Sequence, residues 1–468
     1  MRPDFAIPQW LVCRIAIDRR ALTAFRMSLG VCLLTDIGLR CRDLVAFYTD
    51  AGALPRSTLH GLYPSVGGVS LLTVSGTVWA PLVIFGLTAL AGLALVVGYR
   101  PCLSAGVAFV LLVSIHLRNP VILNAGDTLF RRLLYWSLLV PMGSNWAIGS
   151  LESRSEQVAT VGTAGVLLQV LAVYVTNGML KLRDSYWHQG TAVQYVFQLD
   201  HLTVAAGDVI AGWQPVLLVA DWVWLAMLFA SPLLIILTGW YRTGLVAVFI
   251  AAHLGMALSL RLGVFPLVSI LGLLLFFPSP FWDALGEALP TWTALTVPSW
   301  SQLSIQRDSA RLPTVTNSVA TFSIVTIIVV NAIAMGFVAA PAGTPDRIED
   351  RSWNMFAPSP PLETWWYAAP ATLVSGAKID AFTQEPVNLS RPPDVSDRFP
   401  THRWKKFLGT VRHEPRLRQS LAAYLCTRWN RNHDDPIERV DLIILTEQTK
   451  LNGSESVERE RLGSYQCD

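Results

Sequence analysis

The side chain best suited to proton-transfer chemistry is Lys181, because it is the only lysine before Lys378. It ends an apolar segment that also contains Tyr174 and Gly178, and these three residues are spaced i, i+4 and i+7. On a helix they share one face, and the small residue between two polar ones lets another group approach the backbone. A low-dielectric environment disfavours an ammonium ion, so a buried lysine of this kind is able to accept a proton. The alternative interpretation is a lysine that snorkels from a helix end toward the membrane surface.

Five further ionisable side chains fall within or beside apolar stretches: Arg26, Asp36, Asp127, Arg131 and His253. Intramembrane charges are expensive and face a partner or a cavity. Arg26 and Asp36 are roughly three helical turns apart, so each is expected to pair with another helix in a structural role. Asp127 suits the N-cap of a helix. His253 is either a core histidine or a supporting acid or base.

The cysteines indicate no metal site. Four of them lie in or beside apolar segments, and the sequence contains no C-x-x-C pair, so no metal ligands are predicted. The sequence also lacks the G-x-S-x-G, H-E-x-x-H, Walker and dinucleotide-binding signatures. Cys426 and Cys467 lie near the C-terminus. They form one disulfide if that region faces an oxidising compartment, and otherwise they are free thiols.

The elements that position these residues are those of a membrane protein. Of 468 residues, 52% are hydrophobic and 15% are charged, against about 25% charged in an ordinary soluble domain. About half of the charged residues follow Pro341, so an apolar body precedes a polar C-terminal region. The net charge of +3 comes from interspersed signs, which does not favour nucleic acid as a partner. The expected partner is the lipid bilayer.

Apolar stretches that approach the roughly 20 residues needed to cross a hydrocarbon core recur along the body. The pattern predicts about nine transmembrane helices, of which the third, fourth, seventh and eighth are short enough for one to be re-entrant. They are expected near Ala21–Leu39, Val78–Gly98, Cys102–Leu117, Thr128–Met142, Val161–Lys181, Pro215–Thr238, Leu245–Leu260, Val264–Pro278 and Ser318–Val338. The predicted fold is an all-α polytopic membrane helical bundle with a small C-terminal α+β extramembrane module.

Three regions are predicted: an N-terminal flank (residues 1–20), a transmembrane domain (21–340) and a polar C-terminal module (341–468). The arginines at positions 14, 19 and 20 favour a cytoplasmic N-terminus. Nine spans then place the module outside the cytoplasm, in a plasma-membrane protein, whereas eight spans would reverse this.

Within the module the pattern predicts a hairpin over Trp365–Phe382, a helix over Arg416–Trp429 and a strand over Val440–Leu445.

Short motifs in this sequence resemble a known membrane family. The stretch from Tyr174 to Gly190, Tyr-x-x-x-Gly-x-x-Lys-Leu followed by Trp187-x-x-Gly, resembles the segment of vitamin K-dependent gamma-carboxylase that holds its catalytic lysine. Further motifs resemble the bacterial HTTM (horizontally transferred transmembrane) proteins. They are Ala24-Phe-Arg26 with Asp36, Phe47-Tyr-Thr with Gly52-Ala-Leu-Pro55, Asn124-Ala-Gly-Asp127 with Arg131, Pro141-Met-Gly143, His253 with Gly263-x-Phe265-Pro, and Trp353-x-Met-Phe-x-Pro358. The resemblance covers roughly residues 15 to 370.

The resemblance implies that Lys181 is a base acting on reduced vitamin K or another quinone. In the carboxylase, oxygen addition to that cofactor gives a strong base, which deprotonates a glutamate γ-carbon for attack on CO₂ while the epoxide forms. The resemblance also implies that His253 assists and that a cofactor site includes Tyr174, Gly178, Trp187 and Asn119. Asn119 is followed here by proline, where the carboxylase has an Asn-His pair. The large luminal domain of the carboxylase is replaced by a tail of about 125 residues.

Two functions are therefore considered. The first is a quinone-linked, carboxylase-like lyase with Lys181 as its proton-transfer base. The second is a non-catalytic membrane scaffold or maturation factor for a secreted peptide or protein partner. Transport is disfavoured, because the two halves of the body show no corresponding glycine- or proline-broken helices.

Overall fold

The fold was determined as a computed structural model, which describes residues 9–64, 68–142, 157–288, 312–339 and 353–467. In chain order the helices are α1 (Gln9–Ile15), α2 (Arg19–Cys41), α3 (Leu44–Tyr48), α4 (Arg56–Leu62), α5 (Trp79–Val97), α6 (Pro101–Arg118), α7 (Ala125–Ser137), α8 (Val161–Lys181), α9 (Ser185–His188), α10 (Ala192–Phe197), α11 (Ala206–Ile210), α12 (Gln214–Ala230), α13 (Leu233–Ile236), α14 (Gly239–Ser259), α15 (Phe265–Leu273), α16 (Ser279–Ala288), α17 (Leu312–Ala334), α18 (His402–Val411) and α19 (Pro415–Asn430). The strands are β1 (Ile17–Asp18), β2 (Gln157–Val158), β3 (Glu363–Ala368), β4 (Pro370–Leu373), β5 (Lys378–Asp380), β6 (Ile437–Gln448) and β7 (Val457–Gln466). The chain is thus mostly helical, with a small sheet near its C-terminus.

Six helices in the described ranges are long and apolar enough to cross a membrane: α2, α5, α6, α8, α14 and α17. Each coincides with a segment that the hydrophobic pattern predicts. Their length and composition are those of a multi-pass membrane protein.

The other three predicted spans are less regular. The segment predicted over Thr128–Met142 is α7, whose 13 residues extend only about 20 Å. The segment predicted over Pro215–Thr238 contains α12, of 17 residues, and the short helix α13. The segment predicted over Val264–Pro278 bends by 103° into α16, as expected of a broken span or re-entrant segment. The count of nine crossings therefore stays a prediction.

Contacts with the C-terminal module show how the helices are oriented. Arg403 of the module bonds to Asp36 near the end of α2, and the carbonyl of Met355 bonds to Lys181 at the end of α8. His402 contacts Asn124 just before α7. The ends of α2 and α8 and the start of α7 therefore lie on the side of the body that carries the module.

Helix α8 is the central positioning element, because it packs against α7, α12, α15 and α17. Two glycines allow this close packing. A Cβ on Gly165 would lie 2.2 Å from the indole ring of Trp136, and a Cβ on Gly178 would lie 3.2 Å from Leu228 on α12. The face of α8 that contains Gly178 is therefore covered by a neighbouring helix.

The C-terminal module is a five-stranded sheet with two helices. Strand β6 pairs with β7 along one edge and with β3 and β4 along the other, and β5 extends the sheet beyond β4. The predicted hairpin around Ser375-Gly376 is β4–β5, with Gly376 at φ +88°, whereas β3 pairs with β6 instead. The predicted helix is α19, and a disulfide joins its Cys426 to Cys467. This sulfur pairing selects one of the two alternatives that the sequence leaves open.

A hydrophobic core joins the module to the membrane body. Phe47 on α3 lies against Trp404 and Phe407 of α18, with ring centroids 4.8 Å and 5.5 Å apart. All three side chains are buried. Burial of these apolar side chains stabilises the contact between the module and the body.

Candidate functional site

Lys181 is buried where the end of α8 meets the segment that opens the C-terminal module. Only 1% of the surface of Lys181 is exposed. Nζ donates hydrogen bonds of 3.0 Å to the carbonyl oxygens of Met355 and Phe356. It also lies 3.4 Å from the ring centroid of Trp187, within the range of a cation–π interaction. Lys181 therefore points into protein and does not snorkel into solvent.

The segment 353–358, here called the strap, crosses the end of α8, and its backbone carbonyls accept several hydrogen bonds. Asn177 donates to the carbonyls of Trp353 at 2.7 Å and of Met355 at 3.0 Å. The indole N–H of Trp187 donates to Phe356 at 3.1 Å. Phe356 has φ +54°, an unusual conformation for a bulky side chain. The structure therefore brings Lys181 and Trp187 together, as the resemblance implies, but around backbone carbonyls.

His253 and Tyr174 form a separate aromatic cluster. His253 Nδ1 donates to the carbonyl of Phe249 at 2.8 Å, and its ring centroid lies 5.8 Å from that of Tyr174 and 5.9 Å from that of Trp224. Tyr174 precedes Lys181 by about two turns of α8. His253 thus packs against Tyr174 and not against Lys181, and the two predicted acid–base residues are not brought together.

The remaining residues of the predicted cofactor site are dispersed. Gly178 faces Leu228 on α12, so the group that approaches its backbone is a side chain of the protein. Asn119 follows the end of α6, and its amide donates to the carbonyl of Phe47 at 3.2 Å. The predicted cofactor residue whose ring packs on the Lys181 amine is Trp187.

A second buried polar cluster surrounds Arg40 at the end of α2. Its guanidinium donates to Asp36 at 2.7 Å, to the Tyr48 hydroxyl at 2.7 Å and to Asp127 at 2.5 Å. The second carboxylate oxygen of Asp36 accepts from Arg403 at 2.6 Å. Asp36 was expected to pair with another helix, and it pairs both within α2 and with α18 of the module. The cluster therefore ties the module to the first span through buried charges.

Asp36, His116 and Asp127 have the ligand types of a metal site, and their ligand atoms lie within 4.8 Å of one another. The Arg40 guanidinium, however, bonds to Asp36 and Asp127 and lies 3.1 Å from His116 Nε2. A cation of the protein itself thus occupies the centre of the group. These residues do not fit a metal ion, because binding one would require Arg40 to leave.

The other predicted intramembrane charges have structural positions. The N-cap of α7 is Asn124 and not Asp127. Asp127 occupies position N3, and the side chain of each residue accepts a hydrogen bond from the backbone N–H of the other in a capping box. Arg131 Nη1 lies 3.4 Å from His116 Nδ1. Arg26 is buried, and its guanidinium fills the space beside Gly98 at the turn between α5 and α6.

Partly buried ionisable groups also lie on the module side of the interface, outside the spans. Burial lowers the pKa of His402 to about 3, with help from the neighbouring Lys405 and Lys406. Burial likewise lowers the pKa of Lys405 well below its ordinary value. Asp43 accepts a hydrogen bond of 2.6 Å from Thr401, yet burial raises the pKa of its carboxyl. The shifts follow from the partial burial of these groups where the module meets the body.

Sequence reasoning missed several residues of both clusters. Arg40 lies one turn after Asp36 on α2, a spacing typical of a helical ion pair, and that signal was available. Asn177 lies beside Gly178 in the apolar segment that ends at Lys181. Arg403 and the carbonyls of the strap could not be found in this way, because their contacts span more than 170 residues of sequence.

Comparison with known proteins identifies no relative: no family model, no curated protein and no solved structure matches the chain. The likeness to HTTM proteins and to the vitamin K-dependent gamma-carboxylase therefore depends on the short motifs alone.

Proposed function

We propose that this protein is a membrane-embedded enzyme in which Lys181 takes a proton from the reduced, hydroquinone form of a quinone-like lipid. The observation that carries the proposal is the placement of the only lysine of the membrane body, buried with its amine 3.0 Å from two carbonyl oxygens. Arginine would donate to the same carbonyls and would keep its proton, whereas lysine is able to release one. The use of lysine here, in a body that otherwise uses arginine, supports a role as a base.

At this position Lys181 would take one hydroxyl proton of the hydroquinone onto Nζ and become an ammonium ion, and the ligand would keep the negative charge. No other bond changes. The face of Trp187 would attract the charge of the ammonium, and the carbonyls of Met355 and Phe356 would accept from it once the strap lies over Nζ again. His253 has no part in this step, because it packs against Tyr174. Reduced vitamin K or another quinone is the expected cofactor, and carboxylation is the downstream reaction that the family resemblance implies.

The strap must move for this reaction to occur. Both carbonyls that accept from Nζ belong to residues 353–358, so displacement of that segment would uncover the amine for a lipid ligand. Asn177 and Trp187 bond to the same segment. A covalent cross-link between the strap and α8 is therefore expected to block the reaction without disturbing the bundle.

We also propose a plasma-membrane location with a cytoplasmic N-terminus and an extracytoplasmic module. If α2 crosses the bilayer, its start beside β1 and its end beside Arg403 lie on opposite sides. The disulfide between Cys426 and Cys467 supports an oxidising environment for the module.

A second candidate is a non-catalytic scaffold that holds its module for a secreted peptide or protein partner. It is favoured by the same contacts, because Lys181, Asn177 and Trp187 all donate to carbonyls of the strap and so fix the module to the body. In this case Lys181 is a structural clamp, and the protein has no need of a quinone.

Mass spectrometry of the small molecules that co-purify with the protein distinguishes these candidates. The enzyme proposal predicts about one quinone per wild-type chain. Lys181→Arg preserves hydrogen-bond donors to the strap and is expected to retain the quinone, whereas Lys181→Met tests whether any donor is needed for folding. Only bulk phospholipid in the wild-type preparation would contradict the enzyme proposal and favour the scaffold.

A further inference from the structure

A lateral cavity, here called the α7–α17 cavity, lies apart from Lys181. It has a volume of about 370 Å³ and is bounded by residues of α6, α7, α8 and α17. Hydrogen bonds from Tyr135 to Ser323 (2.6 Å) and from Thr176 to Asn331 (2.9 Å) hold α17 against the bundle. The volume lies within the range of about 300–1,000 Å³ that is typical of small-molecule sites.

Most of the cavity wall is apolar and opens toward the bilayer. Trp136 and Ile327 contribute to its inner surface, and Phe322 at its edge is 74% exposed on the outer side of α17. Because the outer face of a transmembrane helix contacts lipid, a molecule dissolved in the bilayer can reach this cavity from the side.

One part of the wall is positively charged. Arg131 and Arg132 both line the cavity, and no acidic residue is among the described residues that do so. Arg132 stacks on Trp353 at 4.7 Å, and Arg131 Nη1 lies 3.4 Å from His116, so both side chains are held in place. Guanidinium groups recognise phosphate and carboxylate oxygens with good geometry.

The cavity also contains an amide that needs an acceptor. Gln169 on α8 lines it and is only 1% exposed, and its Nε2 has no hydrogen-bond partner among the described residues. A buried amide donor without an acceptor is unfavourable by an amount comparable to a lost hydrogen bond. A ligand that brings an oxygen acceptor to this depth would satisfy it.

We infer that the α7–α17 cavity binds an anionic phospholipid of the bilayer, with its phosphate at Arg131 and Arg132 and an ester carbonyl accepting from Gln169. The acyl chain follows the apolar wall toward Phe322 and leaves the cavity on the lipid side. This inference does not rest on the proposed reaction at Lys181. Charge selects the lipid class, because a zwitterionic headgroup offers the two arginines no net negative charge.

Native mass spectrometry of the full chain in detergent tests this inference, with phosphatidylglycerol as the probe. The wild type is expected to bind one equivalent, about tenfold more tightly than phosphatidylcholine. Gln169→Leu is expected to weaken phosphatidylglycerol binding about threefold to tenfold, as for one lost hydrogen bond. Arg132→Gln is expected to reduce the preference over phosphatidylcholine. Gln198→Leu is the matched control, since Gln198 lies outside the cavity and bonds to the carbonyl of Ala211.

Three results would overturn the inference: equal binding of the two phospholipids, equal effects of the substitutions at Gln169 and Gln198, or full displacement of the lipid by millimolar inorganic phosphate. The last result would identify a site for a free anion. If Gln169→Leu does not fold, Gln169→Asn withdraws the amide by one methylene with little change in volume, and its binding decides the question in the same way.

Discussion

Replacing Arg40 by leucine tests whether the buried charge cluster stabilises the fold. The change removes the guanidinium that bonds to Asp127 at 2.5 Å, while Asp36 keeps its ion pair with Arg403. Removal of one partner from a buried ion pair typically destabilises a protein by about 3–5 kcal/mol. Asp127 still accepts from the backbone N–H of Asn124 at 2.9 Å, so we expect the lower end, about 3 kcal/mol.

The expected loss is measured by denaturant unfolding in detergent, followed by tryptophan fluorescence. The double variant Arg40→Leu with Asp127→Asn removes the stranded charge and should recover most of the lost free energy of unfolding. Arg56→Leu is the control, because Arg56 forms an ion pair with the partly exposed Asp50 and such pairs contribute about 0–1 kcal/mol. Equal losses for Arg40→Leu and Arg56→Leu, or no recovery in the double variant, would refute the reasoning.

The remaining predictions concern the module. Burial lowers the pKa of His402 to about 3, whereas an unfolded histidine has a pKa of roughly 6.5. Between these two values the unfolded chain binds more protons than the folded one. The free energy of unfolding therefore falls as the pH drops below about 6.5. His402→Gln should flatten this fall in thermal midpoint, and unchanged slopes would argue against it. Reducing the Cys426–Cys467 disulfide, which closes a loop with a separation of 41 residues, should lower the free energy of unfolding by about 4 kcal/mol. Alkylation of both thiols in protein taken directly from membranes would contradict the disulfide. A cysteine replacing Asn452 should react with an impermeant reagent on intact cells, and labelling only after permeabilisation would reverse the topology.

Hydrophobic periodicity is sufficient to locate the long helices, because a span is a local property of about 20 residues. It is less informative for α7, where the charge of Asp127 is compensated by Arg40 of α2 and Arg131 contacts His116 of α6. It marks the eighth predicted span as short enough to be re-entrant, and that segment bends by 103° after Phe276. The strand over Val440–Leu445 is predicted because β6 is strongly apolar there, but the pairing of β3 with β6 depends on contacts between residues 363–368 and 443–448.

The candidate site shows the same division between local and long-range information. The isolation of Lys181 and its spacing from Tyr174 are visible in the sequence, which leaves open whether the lysine is buried or snorkels. The structure buries it. That its neighbours are carbonyls of Met355 and Phe356 depends on a return of the chain after about 175 residues. Backbone acceptors carry no side-chain signature, so no pattern of residue types predicts them.

The proton-transfer role of Lys181 is tested most directly by ultraviolet difference spectroscopy of a bound naphthohydroquinone under anaerobic conditions. The proposal predicts that wild-type protein shifts the absorption to that of the monoanion. Lys181→Arg and Lys181→Met should bind the same ligand and leave it in the neutral form. An anion spectrum that persists in Lys181→Met, or a neutral spectrum in all three proteins, would contradict the assignment of Lys181 as the base.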